Sequence, residues 1–462
     1  MGDQLVKVYH NKDASLCHHT EKLMVKVSGP LTGKGDTARL DIVFVLDTSG
    51  SMRGNKLEDM KRAMTEFIVH KLGDRDGLAI IPFNSTAPAP ADKEKRFTAL
   101  SLNKSERQKA VEFVRKLKAD GNTNIEAGLK AGLEYLDKGR RGNLHNASCI
   151  FLMSDGHENV GKASNLDGAV ADHSVVTFGF GEDSDEKLLY GIASKSHAGT
   201  YHHVREKEDQ NKLMTAFAGQ LAIYRSISML GLKVTLRPNK DAGYKILGAD
   251  AGSYKREGSK EAGYIRISFG DLARQENRRI LVDLELPKVE QEQKGMTVMH
   301  VEYEYSPPKK ARIPGPKHDI KMNRVRNPAA CQAATDPNVT RELVRRAQAD
   351  HLYKVMYLAD NKNMGAAIEE AENAKNSLSP VQDDQDEAVD ALVNELDNIE
   401  EFLGTYDVYH KLGRAYLLAC ISSHERQRFT SRGGAVPVDL FRTPRMDKYL
   451  AEARKAHKNR KP

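Results

Sequence analysis

Asp47, Ser49 and Ser51 stand at alternate positions in the run Asp47-Thr48-Ser49-Gly50-Ser51-Met52. One carboxylate and two hydroxyls on a tight loop offer three hard oxygen donors. Such donors suit Mg2+ or Mn2+, whereas Zn2+ prefers nitrogen and sulfur. The loop follows Ile42-Val43-Phe44-Val45-Leu46, an unbroken apolar run. A short, β-branched-rich run bounded by polar residues predicts a parallel strand covered on both faces. Loops at the carboxyl ends of such strands are where open α/β sheets bind their ligands. The alternative for Ser49 and Ser51 is simple capping of the following helix.

The spacing Asp-x-Ser-x-Ser resembles the metal-ion-dependent adhesion site of von Willebrand factor type A (vWA) domains, and two further pieces of that pattern occur in order. Thr123 lies in Asp120-Gly121-Asn122-Thr123-Asn124, just ahead of the helical pattern Ile125, Leu129, Leu133. Asp155 follows the apolar run Cys149-Ile150-Phe151-Leu152-Met153, in Ser154-Asp155-Gly156. The resemblance implies metal ligation by Asp47, Ser49, Ser51, Thr123 and Asp155. It also implies a protein partner that presents an Asp or Glu carboxylate to the remaining position of a bound Mg2+ (or Mn2+).

Four runs look like the plant branch of the same family: Leu46 to Met52, Lys61-Arg62-Ala63-Met64, Asn122-Thr123-Asn124-Ile125 and Thr177-Phe178-Gly179-Phe180-Gly181. Members of that branch often join a RING finger to a vWA domain and a further downstream region, and act in ubiquitin ligation. A RING needs about eight Cys/His ligands in paired spacing. This chain offers Cys17-His18-His19 with no partner pairs nearby. The resemblance therefore implies a relative with the binding half and without the RING.

The elements that must position these residues follow from periodicity. Across 39–224, strand and helix patterns alternate. Leu57 to Leu72 reads as an amphipathic helix with Met60, Ala63, Met64, Phe67 and Ile68 on one face. Gly77 to Phe83 reads as the next strand and Phe97 to Leu100 as a short edge strand. Alternation of this kind predicts an α/β fold: a doubly wound, mostly parallel, Rossmann-like sheet with helices on both faces. Its order and length match the vWA fold.

From 225 to 328 the period changes to two. Leu232 to Leu236, Gly263 to Ile267, Arg279 to Leu286 and Met296 to Tyr305 predict an antiparallel β-sandwich. Within 1–38, the residues up to Thr20 read as polar and loose, and Leu23 to Val27 as a strand joining the sandwich. The vWA unit is then an insertion, entered at Gly29-Pro30 and left near Ser228. Ser306 to Pro328 reads as a basic connector or extended edge. Four amphipathic segments over 337–427 predict a C-terminal helical bundle with Leu/Ala stripes as its core. The last stretch, 428–462, reads as a basic, loose tail carrying Arg454, Lys455, Lys458, Arg460 and Lys461.

Composition narrows the function classes. At 39% hydrophobic and 29% charged, the 462 residues describe an ordinary soluble protein of two or three domains. No stretch approaches the roughly 20 apolar residues of a membrane helix, and Met1 to His10 lacks the apolar core of a secretory signal. Cys17, Cys149, Cys331 and Cys420 are dispersed without a CxxC pair. They read as buried thiols in a reducing, intracellular setting, cytoplasm or nucleus. The net charge of +7 is mild, and no aromatics interleave with the basic tail. No nucleic-acid surface is expected. Gly33-Lys34 fails as a phosphate loop, because Gly35 stands where Ser or Thr should hold Mg2+.

No Gly-x-Ser-x-Gly elbow is present, and nothing pairs His157 or Glu158 with a nucleophile. The expected function is non-catalytic: a protein-binding module working through the metal site, in a ubiquitin-ligase-related pathway. One alternative is a scaffold that binds through its helical bundle and keeps a vestigial metal site. The other is a metal-dependent hydrolase with His157 or Glu158 as base. Partner identity and oligomeric state stay open.

Overall fold

In the computed structural model of the chain, Ile42 to Leu46 form the inner part of the Leu40–Asp47 strand and are all buried. The structure describes residues 5–31, 38–140, 146–205, 212–259, 261–326, 335–381, 387–433, 440–448 and 451. Leu40–Asp47 pairs in parallel with Gly77–Phe83 on one side and Ala147–Ser154 on the other. The whole sheet runs Phe97–Ala99, Gly77–Phe83, Leu40–Asp47, Ala147–Ser154, Val175–Phe180, Tyr201–Val204. Phe97–Ala99 is the antiparallel edge; the other pairings are parallel. This is the doubly wound, Rossmann-like order. The direction of strand succession reverses between Leu40–Asp47 and Ala147–Ser154, which opens a crevice at their carboxyl ends.

Side-chain alternation sends Ile42, Phe44 and Leu46 to one face of the sheet, and Val43 and Val45 to the other. On the first face Asn55–His70, Lys104–Lys116 and Lys212–Tyr224 contribute Met60, Phe67, Val114 and Phe217 to one core. Phe44 meets Phe67 and Phe151 edge-on at 5.3 and 5.4 Å. Such pairs add about 0.5–1.5 kcal/mol each beyond their burial. On the second face the helix Ile125–Arg140 lies so close that a methyl group at Gly128 would fall 2.5 Å from the Phe83 ring. One at Gly132 would fall 2.8 Å from Val45 Cγ2. That close seat holds Thr123, two residues ahead of the helix, above the end of the central strand.

The flanking β-structure has two layers. One sheet runs Val6–Tyr9, His19–Ser28, Asn277–Leu286, Lys245–Asp250. The other runs Lys255–Ser259, Tyr264–Ala273, Ile227–Pro238, Gln293–Ser306, His318–Val325, Asp13–Ser15. His19–Ser28 and Asn277–Leu286 pair along their full lengths, although the α/β unit lies between them in the chain. Two expectations change here. Residues 5–19 are not loose, because Val6 and Ala14 are buried in the sandwich core. The sandwich is not purely antiparallel, because Asp13–Ser15 runs parallel to His318–Val325. Buried Arg324 secures that join, donating from Nε to the Ser15 carbonyl at 2.7 Å. The stretch after Ser306, read as a connector or an extended edge, holds the short Ile313–Pro314 strand on Gln293–Ser306 and the strand His318–Val325, which pairs on both sides within the sheet.

Helices Pro337–Asp360, Met364–Asn376, Glu387–Phe402 and Arg414–Arg426 form the bundle around Leu352, Ala371, Leu396 and Ile421. The last of these is buried on every side. It is wedged between the bundle and the sheet, sending Leu417 and Cys420 one way and Leu418 and Ala419 the other. The expected loose tail also needs correction at its start. Arg428, Phe429, Thr430 and Arg432 are buried, because each charge among them finds a partner. Arg428 donates to Glu276 Oε1 at 3.2 Å and to the Ala198 carbonyl at 2.9 Å. Arg432 pairs with buried Glu395.

Cys149 and Cys420 are buried, but Cys17 is exposed. Gly33-Lys34, Cys331, Asp383 to Asp386 and the basic residues from Arg454 onward lie outside the described residues. Among the described residues no helix is long and apolar enough to cross a membrane.

Candidate metal centre

Asp47 ends the central strand, and Asp155 follows the neighbouring strand Ala147–Ser154, so the two carboxylates flank the point where strand order reverses. Both are fully buried. The backbone N–H of Ser49 donates to Asp47 Oδ1 at 2.8 Å, and the Ser154 hydroxyl donates to Asp47 Oδ2 at 2.6 Å. Ser49 Oγ and Ser51 Oγ lie 2.9 Å apart, and Ser51 donates to Asp155 Oδ1 at 2.8 Å. Thr123 joins from the third loop. A methyl group at Gly156 would lie 3.3 Å from Ser51 Oγ and 3.6 Å from Thr123 Oγ1. All five residues expected to act together are thus gathered in one place.

Backbone bonds between the loops hold that arrangement. Gly50 N–H donates to the Gly121 carbonyl at 2.9 Å, and Asp120 N–H to the Thr48 carbonyl at 2.8 Å. The Thr123 carbonyl accepts from Asn159 and Val160, while Thr123 N–H donates to Asn159 Oδ1 at 2.9 Å. The capping alternative fails for the helix Asn55–His70, whose N-cap is Gly54 with no side-chain bond.

Residues 41–217 match the family model described as the von Willebrand factor type A domain. This segment is a vWA domain. Domains of this type are protein-interaction modules. A second model, described as VWA / Hh protein intein-like, matches residues 386–455. The inter-alpha-trypsin inhibitor heavy chain H4 of Sus scrofa is 28% identical over 192 residues, which is 39% of this chain and 20% of that one. The chain therefore spans about a fifth of the length of this relative. A von Willebrand factor type A structure from Catenulispora acidiphila is similar with a TM-score of 0.65 at 16% identity, over 84% of this chain and 88% of that one. The ArnB paralog VWA2 from Sulfolobus acidocaldarius is similar at 0.57 and 14% identity, over 94% and 98%. Both likenesses concern the fold.

The vWA site has the donor chemistry that a hard cation requires. Ser51 donates its hydrogen to Asp155, so it accepts from Ser49 and keeps one hydroxyl lone pair for a cation. Burial pushes the Asp47 carboxyl up to about 6, against the pull of hydrogen bonds from Ser154 and Ser49, and the nearby Asp155 charge adds to the rise. A positive charge beside Asp47 would reverse that penalty. Oxygen donors, two carboxylates and a crevice open at exposed Ser51 suit Mg2+ or Mn2+.

Two contributors escaped the sequence reading. Ser154, read only as part of the Ser154-Asp155-Gly156 segment after the apolar run, ends the strand and touches Asp47 directly. Lys56 places its ammonium 2.7 Å from Asp155 Oδ2. Its signal was available, since Lys56 lies four residues before Met60 and so beside the buried helix face. The two candidate bases have other engagements. His157 is largely exposed and sits 3.3 Å from Asp185 Oδ2. The two oxygens of Glu158 accept from the backbone N–H groups of Glu126 and Ala163.

Proposed function

We propose that the vWA domain captures an acidic group of a protein partner through a divalent cation held by Asp47, Ser49, Ser51, Thr123 and Asp155. The observation that supports this reading is the Ser49–Ser51–Asp155 chain of oxygens beside buried Asp47, at the crevice where the sheet reverses its order. Asp47 and Asp155 supply two negative charges, and the hydroxyls of Ser49, Ser51 and Thr123 add dipoles without charge. Mg2+ or Mn2+ bound there would offer Lewis acidity to an incoming carboxylate. The cross-loop backbone bonds keep the donors from spreading, which matters because Mg2+ tolerates little departure from octahedral geometry. His157 and Glu158 are engaged elsewhere, consistent with binding rather than turnover. Placement beside ubiquitin ligation belongs to this proposal on the strength of the four short motifs alone.

The test is calorimetric titration of Mg2+ and Mn2+ into the full chain and into Asp47→Ala. It is paired with affinity capture in the presence and absence of chelator. The full chain is needed because Arg414–Arg426 is enclosed between bundle and sheet. Heat and captured proteins that disappear in Asp47→Ala, with the circular dichroism unchanged, support the proposal. A variant that holds the same partner at wild-type affinity overturns it in favour of a scaffold.

A further inference from the structure

Lys56 stands in the first turn of Asn55–His70 and reaches back to the carboxylate at the heart of the proposed centre. Its Nζ lies 2.7 Å from Asp155 Oδ2; the lysine side chain is 12% exposed and the aspartate 0%. The other Asp155 oxygen accepts a hydrogen bond from the Ser51 hydroxyl at 2.8 Å. Asp155 is therefore doubly engaged, by a hydroxyl and by a cation tethered to the fold. Two carboxylates and one ammonium leave the site with one negative charge, not two.

We infer that Lys56 sets the partner selectivity of the centre, loosening its hold on the divalent cation while making a carboxylate the preferred incoming ligand. The inference rests on the metal-binding reading above. Its logic is charge balance in a space that excludes much of the water. With Lys56 present, the cation-loaded site carries one positive charge, and a partner carboxylate brings it to neutrality. Without Lys56, the loaded site is already neutral, and an added carboxylate makes it negative. Water or an amide oxygen would then serve nearly as well as an acid. At these separations, charge interactions far exceed those between groups in open water.

Lys56 thus acts in opposite directions on two affinities. A lysine with a purely architectural role would not do so, because its loss would weaken both.

The experiment uses the full chain as wild type, Lys56→Met, Lys56→Gln and Lys56→Arg. Gln keeps a donor for Asp155 without the charge, so that variant guards against a folding defect in Lys56→Met. Mg2+ affinity is read by calorimetry. Carboxylate binding is read by water-proton relaxation of the Mn2+-loaded protein titrated with propionate, with N-methylacetamide as the neutral comparison. The expected result for Met and Gln is Mg2+ binding tighter by about tenfold and propionate binding weaker by about tenfold, with N-methylacetamide unchanged and Arg close to wild type. Mg2+ binding no tighter in Met and Gln, or propionate binding no weaker, overturns the inference while leaving the metal site standing. Absence of Mg2+ heat in the wild type and in every Lys56 variant removes the metal reading and this inference with it.

Discussion

Ser154 Oγ donates a 2.6 Å hydrogen bond to Asp47 Oδ2, so the residue immediately before one acidic group of the centre holds the other. The bond crosses between adjacent parallel strands at their carboxyl ends. It is one of the few contacts that offset the burial of Asp47, whose carboxyl stands at about 6. Ser154→Ala leaves a buried carboxylate oxygen short of a partner, at a cost of about 1–3 kcal/mol. The expected outcome is a lower denaturation midpoint in chelator and weaker Mg2+ binding. An unchanged midpoint would show that the bond carries no stability.

The seat of the helix Ile125–Arg140 predicts a steric effect. A Cβ on residue 128 meets the Phe83 ring at 2.5 Å, and Phe83 belongs to a packed strand with no room to retreat. Gly128→Ala should destabilise by roughly 1–3 kcal/mol, as overpacked cores do, and should weaken Mg2+ binding by shifting Thr123. Gly168→Ala, where nothing lies within 4 Å, is the control and should leave both measurements at wild type.

Arg428 predicts what joins the parts of the molecule. It is buried with Glu276 and also contacts the Ala198 carbonyl of the vWA domain. Burial alone would raise the Glu276 carboxyl, but Arg278 and Arg428 outweigh it and hold it below its ordinary range. Arg428→Met removes one cation from a buried ionic cluster, a change that costs roughly 3–5 kcal/mol. Thermal unfolding should shift to lower temperature, with proteolysis at the junction appearing early. Lys288→Ala, which removes an exposed ion pair with Glu290, should leave the melting curve in place.

His202 predicts a pH dependence. Burial lowers its pKa from 6.5 to about 3. Its Nδ1 accepts from Ser431 N–H at 2.9 Å, so Nε2 carries the proton and faces Thr200 Oγ1 at 3.0 Å. A depressed histidine pKa means that the unfolded chain binds the proton first. The stability it contributes is complete above pH 6.5 and declines as pH falls toward 3, by about 1.4 kcal/mol per unit. Asp47, raised from 3.8 to about 6, acts with the opposite sign between those values. Denaturant midpoints across pH 4 to 7 for wild type and His202→Gln separate the two. The variant should lose the acid-side decline that belongs to the histidine, and equal slopes would refute the assignment.

Much of the α/β unit was legible because its signals are local. The run Ile42 to Leu46 is apolar on both faces, which only a strand covered on both sides tolerates. The stripe from Met60 to Ile68 carries the helical period. The Asp47, Ser49 and Ser51 spacing needs no tertiary information at all. The start of the tail misled because Arg428 and Arg432 look like surface charges until their partners, Glu276 and Glu395, are in view. Those partners lie 152 and 37 residues away. Lys56 and Ser154 were ordinary residues until folding placed them against Asp155 and Asp47.

By itself, the sequence determined strand and helix periods, the loop at the end of the central strand and the oxygen-bearing residue types, since these depend on neighbours along the chain. Tertiary structure alone decided that Asp47 sits buried under Ser154, that Lys56 shares Asp155 with Ser51, and that Arg428 locks sandwich to sheet. Burial and charge pairing depend on which distant groups arrive at the same point, and no local pattern records that meeting.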